Sequence, residues 1–550
     1  MTFVAFAKSL LVPGFACLVP MALAAQNPFH GNGIPSAYVE NTPARVGGTL
    51  TLAFGSPTTP FPAAFLGVSD GVGPVLIPGL GNIGLDLLSP NYFAIGFTTN
   101  ASGHVSTTIP IGPGINATTP PLFLHAATLE AGGLSISKTI RLEFANPNGW
   151  ETVAPLGTAR QVHTATPLGT GPRDNVTEVL ICGGATQSFV VPLPIATAEL
   201  FSPLTRSTTP LPNLSMPRAA HAAVRLNDGR VLVAGGTTTG GFVTATCEFF
   251  DPTTLTFSPA PSMSAPRAGH AMTLLDDGRV LVTGGVADWQ NAGVAFIAAL
   301  NTAQNTAEVF DPATNAWTSL PVMASKRLGH RQTKLQDGRV LVVSGIRGGY
   351  GGANPWGGGQ VPQYTTSCEL FDPITNTFTA TGALSHTVQI LTLVQTFNGR
   401  AFHGQSLLPS GEVLVTGGFL AEIYNGGTNN DETIVVGFCD VWNPSTGLWS
   451  QRADLPAPAA FQGQIPYGNG ALVSGGFSGA LTNLSVTAQT VLHDGNAVTP
   501  LANIGVDGVS GLASARGAHT LTPLSDGTFL VYGGGVWPNT LGDGFVFTPQ

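Results

Sequence analysis

The chain has 550 residues, a length that allows two sizeable cores, and its formal net charge of −9 argues against a nucleic-acid partner, which needs basic patches. Only 9% of the residues are charged, whereas glycine (71) and proline (43) are abundant. This composition favours many short strands joined by tight turns over long helices.

Residues 1–25 have the pattern of a secretory signal peptide. Lys8 precedes a mostly apolar stretch, and Ala22-Leu23-Ala24 fits the small-residue cleavage pattern. The alternative is an uncleaved membrane anchor, but the stretch is short for a span and is interrupted by Pro13 and Pro20. No later segment offers ~20 uninterrupted apolar residues. We therefore expect an exported protein, secreted or at the cell surface, without an integral membrane span in the mature chain.

Residues 26–147 are predicted to form a small all-β accessory domain resembling a β-sandwich. Runs such as GTLTLAFG and YFAIGFTT have strand character, and residues 100–103 (NASG) have the composition of a hairpin turn. His104 and His125 are single histidines, for which a structural or surface role is expected rather than metal ligation. This region carries no recognisable catalytic motif.

A repeated phrase fills the rest of the chain, residues 148–550. It is clearest at 216–236 (MPRAAHAAVRLNDGRVLVAGG) and 265–285, and it ends on a Gly-Gly pair or its equivalent. The first residue of that pair recurs seven times along the chain, at positions 183, 235, 284, 344, 417, 475 and 533. We interpret these copies as seven structural repeats.

Each copy predicts four antiparallel strands. HAAVRL is a first strand, Asp228-Gly229 is a two-residue hairpin turn, and RVLVAGG is a second strand buried on both faces. A third strand follows and ends at proline, as in TCEFFDP (246–252). The fourth strand carries an aromatic residue, at Phe257, Trp317, Phe378 and Trp449. Four such strands make one blade of a β-propeller.

The two ends of the repeat region predict how the propeller closes. The chain stops after a third strand, GFVFTPQ, whereas the segment around Trp150 resembles a fourth strand and its linker. We expect Trp150 and its neighbours to complete the last blade. That arrangement removes an open sheet edge, which would otherwise promote aggregation.

The Arg-x-x-His, Asp-Gly-Arg-Val-Leu-Val and Gly-Gly elements resemble bacterial kelch repeats of the galactose oxidase-like superfamily. The resemblance implies an all-β fold, a seven-bladed kelch-type β-propeller preceded by the small β-sandwich-like domain. The copper-radical site of that superfamily includes a tyrosine followed directly by histidine, and this sequence contains no Tyr-His dipeptide. We therefore expect no copper or other cofactor, and we assign no catalytic residue.

A ladder of Arg-x-x-His motifs recurs once per blade, at Arg160/His163, Arg218/His221, Arg267/His270, Arg327/His330, Arg400/His403 and Arg516/His519. A ring of histidines around a channel could bind a metal, but repetition by blade favours a structural role. The third strands repeat an acid, at Glu199, Glu248, Glu308, Glu369 and Asp440. A buried carboxylate must be paired, so we predict that each acid pairs with an arginine of this ladder in its own or the adjacent blade.

Four cysteines follow the predicted cleavage site, an even number that in an exported protein suggests disulfides. Cys247, Cys368 and Cys439 occupy one repeat position, which alanine fills in other blades. Equivalent positions of different blades lie too far apart for a disulfide, whose Cα atoms are within about 7 Å. These three and Cys182 are therefore predicted to be free, buried thiols.

Insertions point to one face as the binding surface. In a four-stranded blade, the loops between strands two and three share a face with the blade-to-blade linkers, and the long loops 286–305, 346–366 and 419–437 all belong to that group, beside the long linker 382–399. Binding residues are often carried on loops held by a rigid scaffold. The candidate ligand-binding residues on these loops are Trp289, Arg347, Tyr350, Trp356, Tyr364 and Tyr424. The alternative is that these aromatic residues only hold long glycine-rich loops on the propeller.

We expect a non-catalytic interaction module that binds a protein or a glycan through the loops of blades 3 to 5. A carbohydrate-active hydrolase or oxidoreductase using the same face is the alternative. Clustered acids or histidines with shifted pKa values at the channel mouth would favour an enzyme. A surface module without a specific ligand is a third possibility.

Overall fold

The computed structural model describes residues 149–549 except 171–176, 188–192, 204, 290–298, 350–361, 391–392, 423–431, 481–482, 505–513, 525–526 and 537–538. Side chains at 170, 177, 387–390, 393–398, 421–422 and 432 are not described. Before residue 149, ten strands are described by their backbone. The predicted signal peptide, residues 1–25, lies outside the described residues. No helix among the described residues is long and apolar enough to cross a membrane.

The ten N-terminal strands form two main sheets. One has the order β1-β2-β7, and the other has the order β10-β8-β3-β6 with β9 paired to β8. Strands β1 and β2 also contact β8 of the other sheet. The strands are Tyr38–Asn41 (β1), Thr49–Gly55 (β2), Ala63–Ser69 (β3), Val75–Ile77 (β4), Gly81–Ile83 (β5), Phe93–Thr98 (β6), His104–Pro110 (β7), Leu122–Glu130 (β8), Gly133–Ile136 (β9) and Ile140–Leu142 (β10). The domain boundaries at 26 and 147 stay a prediction.

The predicted hairpin turn at residues 100–103 lies outside the described residues. Strands β6 and β7, which come before and after it in the chain, belong to different sheets, where β6 pairs with β3 and β7 pairs with β2. The alternating pattern predicted the strands correctly, but it carries no information about which sheet each strand joins.

Six four-stranded sheets, and four strands of one six-stranded sheet, share the strand order of a blade in the described part of the chain. Blades 1 to 4 consist of Thr164–Thr170 (β12), Thr177–Cys182 (β13), Ala198–Ser202 (β14), Ser207–Leu211 (β15); Ala222–Arg225 (β16), Val231–Ala234 (β17), Cys247–Asp251 (β18), Thr256–Ala260 (β19); Ala271–Leu274 (β20), Val280–Thr283 (β21), Ala307–Asp311 (β22), Ala316–Ser319 (β23); and Arg331–Lys334 (β24), Val340–Val343 (β25), Cys368–Asp372 (β28), Thr377–Thr381 (β29). The fold class is that of a kelch-type propeller.

The remaining blades follow the same order. Blades 5 to 7 consist of Gly404–Leu407 (β32), Val413–Glu422 (β33), Glu432–Trp442 (β34), Trp449–Arg452 (β35); Gly463–Tyr467 (β36), Gly470–Ser474 (β37), Thr490–His493 (β40), Val498–Pro500 (β41); and Thr520–Pro523 (β42), Phe529–Tyr532 (β43), Gly544–Thr548 (β46), Gly149–Val153 (β11). Additional hairpins and one short 3-10 helix decorate this ring, at Ile346–Gly349 (β26) with Pro362–Tyr364 (β27), Ser385–Ile390 (β30) with Leu393–Asn398 (β31), Phe477–Ala480 (β38) with Asn483–Val486 (β39), Gly535–Val536 (β44) with Asn539–Thr540 (β45), and Thr239–Gly241 (η1).

Trp150 closes the last blade, as the sequence predicted. Strand β11 pairs with β46, with Trp150 opposite Phe547. The two rings lie 4.9 Å apart between centroids, and Trp150 is 5% exposed. The Trp150 indole Nε1 also donates to the carbonyl oxygen of Ala502 in blade 6, at 2.9 Å. The first and last strands of the propeller are therefore joined in one sheet and anchored to the preceding blade.

A closed circle of backbone hydrogen bonds runs around the axis. It contains one residue per blade, the one directly before each ladder histidine or, in blade 6, before Gln462. Each N–H donates to the carbonyl oxygen of its counterpart in the preceding blade, and the circle closes between Val162 and Ala518 at 3.2 Å. All seven residues have positive φ, and we call them the axial ring: Val162, Ala220, Gly269, Gly329, Phe402, Phe461 and Ala518.

Removal of the Trp150 side chain should loosen the closure. We expect Trp150→Ala to destabilise the fold by about 3–5 kcal/mol, because a buried aromatic contact is lost. Hydrogen exchange should then accelerate in β46 and in the adjacent β43.

Trp317→Ala is the matched control, because Trp317 lies on the fourth strand of blade 3 and its indole also donates to a backbone carbonyl, that of Pro261. Its effect on exchange should stay in blade 3. Unchanged exchange of β46 in Trp150→Ala would contradict the closing role.

Candidate functional site

One face of the propeller carries both the linkers and the loops between strands two and three. Isolated bridges join the two kinds of segment, between Ala268 and Val286, between Leu328 and Ile346, and between Ala401 and Phe419. The opposite face carries short turns such as Asp228-Gly229, where Gly229 has φ of 93°. We call the first side the loop face. It is the side on which the insertions of blades 3 to 5 lie.

The predicted pairing of ladder arginines with third-strand acids is confirmed, and each pair lies within one blade. The shortest nitrogen–oxygen distances are 2.7 Å for Arg160–Glu199, 2.7 Å for Arg218–Glu248, 2.8 Å for Arg267–Glu308, 2.5 Å for Arg327–Glu369 and 2.5 Å for Arg400–Asp440. All ten side chains are buried. Each pair therefore stabilises its own blade from within, and its charges are not exposed to a ligand.

In blade 3, both partners of the buried pair also form hydrogen bonds with the backbone. The Arg267 Nη2 donates to Glu308 Oε1 at 2.8 Å, and Nη1 donates to the carbonyl oxygen of Gly284 at 3.0 Å. The second oxygen of Glu308 accepts the backbone N–H of Ser264 at 2.7 Å. Arginine, acid and linker therefore form one buried unit, in which burial lowers the pKa of Arg267 while Glu308 raises it.

Blades 6 and 7 depart from this pattern. In blade 6 the arginine position holds Ala459 and the acid position holds Val491, so both charges are absent together. In blade 7 the acid position holds Phe545, and Arg516 pairs instead with Asp543 at 2.7 Å. Asp543 was not predicted, because it lies two positions before Phe545, the residue at the repeated acid position.

Blade 5 adds a histidine to the pair. His386, in the linker hairpin β30–β31, has its Nδ1 3.2 Å from one oxygen of Asp440, while Arg400 donates to the other oxygen. The imidazole stacks on Phe438 with ring centroids 4.0 Å apart. The sequence analysis missed His386, since it lies in an insertion without a counterpart in other blades.

The ladder histidines lie between blades. His221 Nε2 is 3.0 Å from Thr164 Oγ1, His330 Nε2 is 2.7 Å from Thr283 Oγ1, and His519 Nε2 is 3.1 Å from Ser474 Oγ, each contact reaching the preceding blade. Burial first, and a neighbouring ladder arginine second, lower the pKa of His270 and of His519 to about 3. These imidazoles are therefore neutral at physiological pH.

In five blades the first glycine of the Gly-Gly pair makes room for the histidine of the next blade. Gly183 has φ of 60°, and a Cβ there would lie 2.6 Å from His221 Cε1. Gly475 is related to His519 in the same way, at 2.7 Å. Gly-Gly and histidine therefore occur together in the repeat because a glycine without a side chain leaves space for the imidazole.

The aromatic residues predicted to bind ligand have different surroundings. Trp289 is 7% exposed and packs in a cluster with Val286, Leu300 and Leu328, against which the partly buried Tyr364 also packs. Arg347, on β26, is exposed. Tyr350, Trp356 and Tyr424 lie outside the described residues. The burial of Trp289 and Tyr364 fits the alternative that they hold the loops on the propeller, and the binding role of the set stays a prediction.

An aromatic cluster at the axial ring was not foreseen. Phe402 and Phe461, both partly buried, stack with centroids 4.1 Å apart and an interplanar angle of 19°. Phe419 and Phe477 meet Phe461 edge to face. The other five axial-ring residues are valine, alanine or glycine. An alignment of the seven copies would have shown two phenylalanines at this position.

The four cysteines are free and buried, as predicted. Burial raises the pKa of the Cys368 thiol to about 11 and that of Cys247 to about 12. Their sulfurs lie near backbone carbonyls two residues earlier, at 3.6 Å from Thr366 O and 3.5 Å from Ala245 O. Such thiols are poor nucleophiles.

The residues of this chain do not fit a copper-radical centre. The Tyr532 hydroxyl donates to the carbonyl oxygen of Ala154 at 2.6 Å and is buried in the seam between blades 7 and 1. Within the described segments, no three His, Cys, Asp or Glu side chains are grouped so that they could hold a metal ion. The sequence also contains no Tyr-His dipeptide.

Comparison with known proteins identifies the architecture. A family model described as "Kelch motif" matches residues 266–323. A solved structure described as "Novel fungal alcohol oxidase with catalytic diversity among the AA5 family, in complex with copper" is similar over 74% of this chain and 77% of that chain, with a TM-score of 0.51 and 16% sequence identity. Another, "Structure of YjhT", covers 64% of this chain and 99% of that chain, with a TM-score of 0.44 and 15% identity. No curated protein sequence matches this chain.

Breaking one buried pair should be costly. We expect Glu308→Gln to destabilise the protein by about 3–5 kcal/mol at pH 7, because it leaves the buried charge of Arg267 without compensation. Denaturant unfolding of both proteins measures this difference.

Asp277→Asn serves as the control, because the Arg279–Asp277 pair is partly exposed, with side chains 23% and 44% accessible. It should cost about 0–1 kcal/mol. Equal costs in the two variants would contradict a structural role for the buried pair.

The buried histidines should make the fold sensitive to acid. The pKa of His519 is about 3 in the folded protein and about 6.5 when unfolded, so the unfolded chain binds more protons between these values. The free energy of unfolding is therefore retained above about pH 6.5 and falls as the pH is lowered toward about 3. In His519→Gln this fall should be shallower by up to about 1.4 kcal/mol per pH unit.

Blade 6 provides the reciprocal variant, because Gln462 occupies the histidine position and donates to the carbonyl oxygen of Thr416 at 2.7 Å. Gln462→His should steepen the fall. Urea unfolding from pH 7 to pH 4 tests both variants, and parallel curves for the wild type and both variants would refute the assignment.

Proposed function

Because this chain is a kelch-type β-propeller with the fold of the galactose oxidase-like superfamily, we propose that it is an exported interaction module. The loop face of blades 3 to 5 binds a protein or a glycan. The observation that carries this proposal is the confinement of the long insertions to one face. In blade 4 the chain leaves β25 at Val343 and returns in β28 at Cys368, whereas in blade 2 it leaves at Ala234 and returns at Cys247.

The placement of the charged residues supports binding over catalysis. The repeated arginines and acids are bound to each other inside the blades, and burial keeps the ladder histidines neutral. What varies between blades is the loops, which carry aromatic, amide and glycine residues. A rigid ring with variable loops on one face is a frequent arrangement for recognition.

Export is the second part of the proposal. The sequence of residues 1–25 supports it, with an apolar stretch ending in a small-residue cleavage pattern. We propose that the mature protein is secreted or held at the cell surface. Its partner would then be an extracellular protein or glycan.

Binding arrays of glycans and of purified surface proteins test this function. Tyr350→Ala and Trp356→Ala should each weaken binding of the best ligand at least ~10-fold, which is typical for loss of an aromatic anchor. Both variants should keep the melting temperature of the wild type, because they lie in an insertion.

Phe242→Ala is the matched control, because Phe242 is 61% exposed on the shorter loop of blade 2, also on the loop face. It should bind as the wild type does. Full binding by both loop variants would exclude the blade 4 insertion, and uniformly weak signals over both arrays would indicate a surface module without a specific ligand.

A further inference from the structure

Arg331 breaks the repeat at the axis of the propeller. The residue directly after each ladder histidine, or after Gln462 in blade 6, begins the innermost strand of its blade. Six of these positions hold small residues and only blade 4 holds a charge: Thr164, Ala222, Ala271, Arg331, Gly404, Gly463 and Thr520. Since the scaffold accepts alanine, glycine or threonine here, it does not need an arginine.

The side chain of Arg331 faces the axial space. Strand β24 is an innermost strand, covered by β25 on its outer side and contacted by β20 and β32 of the neighbouring blades. Arg331 is nevertheless exposed, whereas His330 before it is buried. For an innermost strand, that exposure means contact with the space around the axis.

The guanidinium of Arg331 has a single described polar contact, in which Nε donates to the carbonyl oxygen of His403 at 3.2 Å. None of the described carboxylates forms an ion pair with it, in contrast to the ladder arginines. The surrounding protein lowers its pKa by desolvation, and the guanidinium remains charged at neutral pH. The nearby His330 and His403 are uncharged, because burial lowers their pKa values.

The Nη groups of Arg331 do not pair with any described carboxylate. A guanidinium of this kind in a confined space favours an anion that can accept two parallel hydrogen bonds. Carboxylates do this well. The equivalent positions of the neighbouring blades, Ala271 and Gly404, carry no charge. The net charge of the chain is −9, so the preference for an anion must come from this local charge.

An aromatic ring covers the backbone two residues before Arg331, since a Cβ at Gly329 would lie 2.6 Å from Phe402 Cε1. Phe402 stacks on Phe461, and we call these two rings the Phe402–Phe461 wall. The carbonyl that holds Arg331 belongs to His403, and the residue before it is Phe402, whose N–H donates to Gly329 O at 2.7 Å. Phe402 has φ of 54° and Phe461 has φ of 53°. Positive φ is shared by all seven axial-ring residues, but only these two carry aromatic side chains. Both rings remain partly exposed at the mouth of the axis.

We propose that Arg331, with the Phe402–Phe461 wall, forms a binding site for a carboxylate-bearing sugar unit at the loop-face end of the axis. Arg331 binds the carboxylate, and the sugar ring packs against the aromatic wall. This inference rests on the proposed function in its glycan form and names the acidic saccharide as the ligand class.

Isothermal titration of the full chain with sodium D-glucuronate tests the site, with D-glucose as the neutral counterpart. We expect measurable binding of glucuronate and at least ~10-fold weaker binding of glucose, since charge-assisted hydrogen bonds contribute about 1.5–3 kcal/mol. Arg331→Ala should remove the preference for glucuronate. It should keep the wild-type melting temperature, because alanine occupies the equivalent position in blades 2 and 3.

Two further variants separate charge from packing. Phe402→Leu should weaken both sugars by a similar factor, because it alters the wall and not the charge. Arg230→Ala, which removes a partly exposed arginine paired with Asp228 on the opposite face, should leave both affinities unchanged.

Three results would overturn the proposal: no glucuronate binding at millimolar concentration, glucuronate binding that survives Arg331→Ala, or sodium phosphate binding as tight as glucuronate binding. The last would identify an anion site without sugar recognition. Glucuronate binding that depends on Arg331 but persists in Tyr350→Ala and Trp356→Ala would uphold the axial site while removing the loop-based function. Array binding that is lost in Tyr350→Ala and Trp356→Ala but kept in Arg331→Ala would uphold the loop-based function and remove the axial site.

Discussion

Seven innermost strands meet around one axis, and a closed circle of backbone hydrogen bonds joins them there. Each axial-ring residue donates its N–H to the preceding blade and must adopt positive φ to do so. At five of the seven positions this geometry places a ladder histidine against the first glycine of the preceding blade's Gly-Gly pair, where a Cβ would collide with the imidazole. The arginine three positions before the histidine then faces the acid of its own third strand. The repeated residues are therefore consequences of one requirement, that seven equivalent sheets close a circle.

The same requirement explains what the sequence could predict. An arginine and an acid recur at fixed places in the repeat, where blade 4 has Arg327 and Glu369. Their pairing could therefore be inferred from spacing and from the cost of burying a lone charge. Closure by Trp150 could be inferred because a third strand ended the chain without a fourth. Asp543 could not be found in this way, since Phe545 fills the repeated acid position and the carboxylate is supplied two residues earlier. His386 lies in an insertion, where no other copy offers a comparison.

Loop side chains were harder to place for a different reason. An aromatic residue in an insertion is equally compatible with an exposed platform and with a buried anchor, and the difference depends on tertiary packing. Trp289 lies in a loop rich in alanine, a composition that matches its burial among Val286, Leu300 and Leu328. Arg347 and Tyr364 flank the same insertion of blade 4, yet the first is exposed and the second packs against that cluster.

In a ring of near-equivalent blades, the residues that repeat from blade to blade stabilise the fold. Recognition of a ligand requires residues that differ between blades. The five repeated Arg–acid pairs and the ladder histidines are internal and alike from blade to blade. The departures are concentrated at blades 4 to 6: Arg331 where other blades have small residues, Phe402 and Phe461 at strained axial-ring positions, and the long insertion between β26 and β27. None of these is needed for closure, because other blades close without them. Their coincidence at one sector of one face makes that sector the part of the molecule most suited to select a ligand.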